Sequence, residues 1–210
     1  HQKLKRRLVE CVRERVRVRS GRGGESMETI RRANQILDPE ILTIGFARRF
    51  ATYKRGALLF SDKERLARLL NDTTRPVQFI FAGKSHPRDE GGKALIQEVY
   101  ELSRQHGYHN RIVFVEDYDT YIARRLVQGV DLWLNNPLRP LEASGTSGMK
   151  LPPNGGLNLR WPVGRWRGTA NGKNGGPIGW EAGGSARAAG SGGGGGSRAG
   201  ERGGRGARSK

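Results

Sequence analysis

Four short runs at 41–47, 77–82, 111–116 and 130–134, rich in Val, Ile, Leu and Phe, constrain this chain more than any other feature, because few polar residues interrupt them. A strand with one wet face alternates apolar and polar residues, whereas a run with little alternation is buried on both faces. Helical stretches separate the runs. The pattern predicts helices over 49–59, over 62–70 behind a capping box of Ser61 and Glu64, over 90–106, and over 120–128 behind Asp119. The order β-α-β-α-β-α-β predicts an α/β fold, a Rossmann-like parallel sheet with helices on both faces. Ligands then belong outside the carboxyl ends of the strands.

Residues 3–19 place Leu4, Leu8, Val12 and Val16 at helical spacing among many arginines, which predicts an amphipathic helix with a solvated basic face. Glycines from Gly21 to Gly24 break it, and a second helix is expected over 26–37, ended by Asp38 and Pro39. The chain opens on His1 and is helical at once, so it reads as part of something longer. Four regions follow: a helical lead-in (1–37), the Rossmann-like lobe (38–159), an irregular stretch (160–182), and a Gly/Arg/Ser-rich tail (183–210). The stretch 160–182 scatters Trp161, Trp166 and Trp180 without helix or strand period, and the tail, with twelve of the 32 glycines, is expected to be disordered.

The net charge of +18 would ordinarily direct attention to nucleic acid. Its distribution argues otherwise. Residues 1–37 carry eleven Lys and Arg against four acids and residues 183–210 six against one, while residues 38–159 carry seventeen against fourteen. The basic character belongs to the flanks, and no specific nucleic-acid partner is expected. Cys11 is the single cysteine, so no intrachain disulfide can form, and a reducing cytoplasm is the natural compartment. His1, His86, His106 and His109 show no metal-ligand spacing, and no metal site is expected. No apolar run approaches a membrane span and no hydrophobic signal segment opens the chain, so no membrane partner is expected.

Two stretches have the chemistry of phosphate binding, which needs cations, backbone N–H donors and glycines that admit the anion. Arg48, Arg49, Tyr53, Lys54 and Arg55 follow the first strand, with Arg49 and Lys54 near enough in sequence to converge on one anion. Such clusters are more often solvated faces. The second stretch, Leu141 to Lys150, reads LEASGTSGMK: Gly145 and Gly148 free the backbone, and Ser144, Thr146 and Ser147 offer hydroxyls. It lacks the order of an ATP-type phosphate loop. Its residues alone leave open a phosphate-binding turn or a capped helix start.

LEASGTSGMK preceded by DLWLNNP resembles the cofactor-lysine motif of the α-glucan (glycogen, starch and maltodextrin) phosphorylases, in the wording of the short bacterial and archaeal type. LTIGFARRFATYKR resembles the phosphate-binding segment of that family, and FAGKSHP and RIVFVEDYD fit it in order and spacing over about residues 1–159. The resemblance implies the C-terminal lobe of a two-lobed GT-B-type glycosyltransferase that phosphorolyses α-1,4-glucan to glucose 1-phosphate. It further implies pyridoxal 5'-phosphate held as a Schiff base on Lys150, with Gly145, Thr146 and Arg48 around its phosphate and Tyr118 near its ring. Arg48 stands where the family often has lysine. Arg49 and Lys54 would clamp the substrate phosphate, and Glu142 and Ser144 would bind the hydroxyls of the reacting glucose.

The chain departs from the family pattern after Lys150. Leu151-Pro152-Pro153 should stop any helix running through the lysine, and the text beyond Leu159 reads as locally frame-shifted. With only one lobe, and catalytic groups of the other required, the chain alone is expected to lack phosphorolysis. Two other readings are a nucleotide-sugar glycosyltransferase of the same architecture, which would need no such lysine, and a basic nucleic-acid-binding protein using its arginine-rich ends.

Overall fold

The computed structural model describes residues 1–105, 108, 110–138, 141, 146–160 and 175–177. Helix α1 (Gln2–Arg22) and the short α2 (Met27–Arg32) lead into strand β1 (Leu42–Ala47). Two 3-10 turns (Thr52–Lys54 and Gly56–Phe60), helix α3 (Lys63–Asn71), strand β2 (Val77–Ala82), helix α4 (Glu90–Arg104) and strand β3 (Ile112–Val115) follow. Helix α5 (Thr120–Gly129), strand β4 (Leu132–Asn135), helix α6 (Thr146–Met149), a 3-10 turn (Pro152–Asn154) and strands β5 (Leu157–Arg160) and β6 (Gly175–Pro177) complete the described chain. Among these residues no helix is long and apolar enough to cross a membrane.

The six strands pair in the order β3-β2-β1-β4-β5-β6, each neighbour parallel to the next. The chain moves outward from β1 through β2 to β3, then returns to the other side of β1 with β4. Strand order therefore reverses between β1 and β4, the kind of switch point outside whose carboxyl ends open α/β sheets place a ligand crevice.

Side chains divide the core by size. On one face, Phe46, Phe79, Phe81 and Phe114 pack with Leu66 and Leu70 of α3 and with Val99 and Leu102 of α4. The ring centroids of Phe46 and Phe81 lie 5.6 Å apart, within the range aromatic pairs prefer. On the other face, the smaller Ala47, Ala82, Val113 and Val115 meet Leu8, Val9 and Val12 of α1 and Ile122 and Leu126 of α5. The two helices there cross closely: a Cβ built on Gly129 would lie 2.7 Å from the Leu8 Cβ. At the opposite edge from the crevice, buried Lys5 pairs with Asp131 at 2.7 Å, and the same carboxylate accepts the Thr43 N–H at 2.7 Å.

Several sequence expectations change. The helix expected over 49–59 is two 3-10 turns, because Arg55 between them is left-handed (φ 49°). The capping box is absent: Asp62 caps α3 by accepting from the Arg65 N–H at 2.9 Å, while the Ser61 hydroxyl donates to the Leu58 carbonyl. The second lead-in helix stops at Arg32 because Arg13 binds the carbonyls of Ile36 and Leu37, at 2.9 and 2.7 Å, and Leu37 turns left-handed. The basic face of α1 is partnered at Arg13, Arg15 and Arg19 rather than simply solvated. The sheet gains β5 and β6, the latter inside the stretch read as irregular; β5 pairs with β4 from Leu132↔Leu157 to Asn135↔Arg160. The tail over 183–210 lies outside the described residues.

Candidate functional site

The carboxyl ends of β1 and β2 continue side by side beyond the strands. The Arg48 N–H donates to the Ala82 carbonyl at 3.1 Å and the Phe50 N–H to the Lys84 carbonyl at 2.9 Å. This close pairing explains the glycine in FAGKSHP: a Cβ on Gly83, whose φ is 157°, would lie 2.0 Å from the Arg48 carbonyl oxygen. Phe50, 1% exposed, then anchors the segment in the aromatic core, with its ring 5.7 Å from that of Phe46. The residues around it are left at the edge, with Arg49 exposed and Arg48, Tyr53 and Lys54 half-buried.

Arg49, Tyr53 and Lys54 converge. The Lys54 ammonium lies 5.1 Å from the centre of the Tyr53 ring. Burial pushes the Tyr53 phenol up, but its hydrogen bonds to Arg49 and Lys54 and their charges outweigh burial and hold it below its ordinary value. Positive potential that lowers a phenol also favours a bound anion. Arg48 occupies a separate position one strand over: its Nη1 donates to the Asn135 side-chain oxygen at the end of β4, where Asn135 is 2% exposed.

The crevice is bridged at its base. The Leu138 N–H donates to the Tyr53 carbonyl at 2.6 Å, Arg55 Nε to the Asn136 carbonyl at 2.9 Å, and Asn136 Nδ2 to the Arg55 carbonyl at 3.2 Å. Beyond β4, Lys150 follows α6 directly. Its side chain is exposed while its backbone is held on both sides. Asn158 Nδ2, buried in β5, donates to the Gly148 carbonyl at 2.8 Å, Asn154 Nδ2 donates to the Lys150 carbonyl at 2.8 Å, and Leu151 is fully buried. Pro152 and Pro153 do stop the helix before the lysine, and they form the 3-10 turn that carries Asn154 back to it.

Tyr118 follows β3, two strands from β1, and packs half-buried against the core beneath α1 and α5. Burial pushes its phenol up, so it remains a neutral donor near neutral pH. Two of the acids beside it pair with α1: Arg19 Nε meets Glu116 at 2.6 Å and Arg15 meets Asp119 at 2.6 Å, while Arg15 also donates to the backbone carbonyl of Asp117 at 3.1 Å. Arg48, Arg49, Lys54, Arg55, Lys84 and Lys150 all follow the carboxyl ends of β1, β2 or β4. Glu142, Ser144 and Gly145 lie outside the described residues, and Thr146 is described only as the first residue of α6.

Sequence reasoning placed the cations but did not assign roles to Tyr53, Asn135 and Asn136. The adjacency of Tyr53 to Lys54 was a usable signal; the two asparagines acquire meaning only through contacts with residues more than eighty positions away.

A family profile described as carbohydrate phosphorylase matches residues 12–166, including every segment that builds this edge. The chain belongs to the carbohydrate phosphorylase family. Among its relatives, the maltodextrin phosphorylase of Thermococcus litoralis is 50% identical over 182 residues, 87% of this chain and 21% of that protein. The glycogen phosphorylase of Aquifex aeolicus is 48% identical over 175 residues, 83% of this chain and 25% of that protein. The glycogen phosphorylase of Mycobacterium tuberculosis is 50% identical over 172 residues, 82% of this chain and 20% of that protein. The chain thus spans about a fifth to a quarter of the length of these phosphorylases. Each aligned stretch is longer than 159 residues, so the likeness extends past Leu159. The match does not favour the nucleotide-sugar or nucleic-acid readings.

Proposed function

We propose that this phosphorylase chain is the cofactor-binding lobe of an α-glucan phosphorylase, which cleaves α-1,4-glucan with inorganic phosphate to give glucose 1-phosphate in the cytoplasm. The observation that carries the reading is the convergence of Arg49, Tyr53 and Lys54 where strand order reverses, on a segment bonded to Asn136 and Leu138 after β4. Two cations on a segment anchored by Phe50 suit a dianion that must be held without reorganisation during reaction. Removing either charge is expected to cost about 3 kcal/mol of transition-state stabilisation.

Lys150 is the residue proposed to hold pyridoxal 5'-phosphate covalently, with Arg48, Gly145 and Thr146 around its phosphate and Tyr118 toward its ring. Two features of the described residues fit such a group: an exposed amine on a backbone pinned by Asn154 and buried Leu151, and a half-buried guanidinium steered by Asn135. When bound, the cofactor supplies an acid–base phosphate beside the substrate phosphate. The chain's own residues hold and orient it: the Arg48 guanidinium offers a planar fork to an anion where an ammonium would offer a point charge. Glu142 and Ser144 are proposed to bind the glucose hydroxyls, and the N-terminal lobe to supply the opposite wall.

Borohydride reduction of the chain incubated with pyridoxal 5'-phosphate, followed by peptide mapping, tests the assignment. One adduct, on Lys150 and absent from Lys150→Ala, is the expected result. Labelling spread over surface lysines would overturn it. The chain alone should form no glucose 1-phosphate from glucan and phosphate, and measurable turnover would remove the requirement for a second lobe.

A further inference from the structure

The clip between the Arg55 turn and the loop after β4 has a geometry that neither the cofactor nor the substrate assignment uses. The segment bearing Arg49, Tyr53 and Lys54 is anchored on its core side by Phe50 and Phe60, which are 1% and 4% exposed. On the crevice side, three hydrogen bonds hold it: Leu138 N–H to the Tyr53 carbonyl, Asn136 Nδ2 to the Arg55 carbonyl, and Arg55 Nε to the Asn136 carbonyl. Arg55 is left-handed (φ 49°, ψ 46°) although it carries a side chain, a strained conformation that persists where surrounding contacts over-determine it. A glycine would relieve the strain but would lose the Nε bond to the Asn136 carbonyl.

Asn136 itself is only 5% exposed, and its side-chain oxygen is buried with no hydrogen-bond partner among the described residues. An unpaired buried amide oxygen is destabilising, so an apolar side chain of similar size would pack there at lower cost. Such a side chain could not donate to the Arg55 carbonyl. The amide is thus costly for folding and specific for the turn, the signature of a group retained for placement rather than stability.

We propose that Asn136 is a positioning residue, whose amide locks the left-handed turn at Arg55 and thereby sets the directions of Tyr53 and Lys54 in the crevice. Its bearing on phosphate rests on the reading of Arg49 and Lys54 as the phosphate clamp; its bearing on Tyr53 does not. A rotation at Arg55 would swing the two preceding residues, which share its 3-10 turn, away from Arg49.

The test uses the full chain and Asn136→Leu, which keeps the branched shape and removes the donor. Ultraviolet titration of tyrosine, with each protein referred to its Tyr53→Phe counterpart, isolates the Tyr53 phenol. The expected result is an upward move of its titration by about one pH unit, with a urea midpoint equal to or above that of the parent. Calorimetry with inorganic phosphate should show binding weakened about tenfold. Asn136→Ala, which removes the same donor without adding bulk, should move the phenol in the same direction and serves if Asn136→Leu does not fold. A Tyr53 titration unchanged from the parent in the folded variants would overturn the proposal. If the parent itself binds no phosphate, the phosphate-clamp reading fails, and the Tyr53 titration alone decides the role of Asn136.

Discussion

Gly83 shows how tightly one position can be constrained by backbone alone. Its α-carbon passes so close to the Arg48 carbonyl that an added methyl would sit 2.0 Å from that oxygen and 2.8 Å from the Phe50 ring. Neither neighbour can yield cheaply: the carbonyl belongs to the continuation of β1, and Phe50 is locked in the aromatic core. Gly83→Ala is therefore expected to lower unfolding free energy by about 3 kcal/mol, at the upper end for overpacking, as read from urea denaturation. A loss under about 1 kcal/mol, the scale of a freely accommodated methyl, would mean that the two strand ends can part. The cations of the site were legible residue by residue because charge is a local property. Tyr53 and Asn136 were not, since what distinguishes them is a partner supplied by the fold: Arg49 and Lys54 around the phenol, and Arg55 facing the amide.

At the scale of elements, α5 is held by one residue acting in two ways. Asp119 accepts the Ile122 N–H at 2.8 Å as the N-cap and pairs with Arg15 at 2.6 Å. The Ile122 N–H first, and Arg15 second, hold its carboxyl below the usual range. A carboxyl depressed on folding contributes stability above its unfolded value of about 3.9, and that contribution disappears as pH falls through the lower folded value. Asp119→Asn keeps a capping oxygen and removes the ion pair. The parent should exceed the variant in urea midpoint near neutral pH, and the gap should close between about pH 4 and the lower folded value; a gap independent of pH would refute the ion pair. The first four strands were legible as unbroken apolar runs, and the α5 cap as an Asp before a helical period. The 49–59 segment was misread because its apolar spacing suits a helix, while the Tyr53–Leu138 bond and the Arg55 clip impose another backbone. Strands β5 and β6 are short, with Asn158, Arg160 and glycines among few apolar residues, so only pairing in the sheet identifies them.

For the molecule as a whole, the carboxyl edge gathers several cations, Arg49 and Lys54 among them, on the side where an anion is proposed to bind. A ligand bound only by the folded state stabilises it by mass action, about 2.7 kcal/mol at one hundred times its dissociation constant. Inorganic phosphate is accordingly expected to raise the thermal midpoint, and pyridoxal 5'-phosphate to raise it further. Replacing both Arg49 and Lys54 with methionine should abolish the phosphate increment and spare that of the cofactor. Loss of both increments together would argue that the two anions share one site.

The first helix is attached in two different ways along its length. Its opening half is seated through Leu8, Val9 and Val12 in the core, while Arg13 binds part-buried carbonyls and Arg15 and Arg19 fasten its closing half to carboxylates nearer the surface. Dissolved ions screen exposed charge pairs but leave apolar contacts in place. The far end of this helix is therefore a salt-sensitive strut behind the Glu116–Asp119 turn, whose ion pairs weaken as ionic strength rises while the apolar seat of the opening half stays the same.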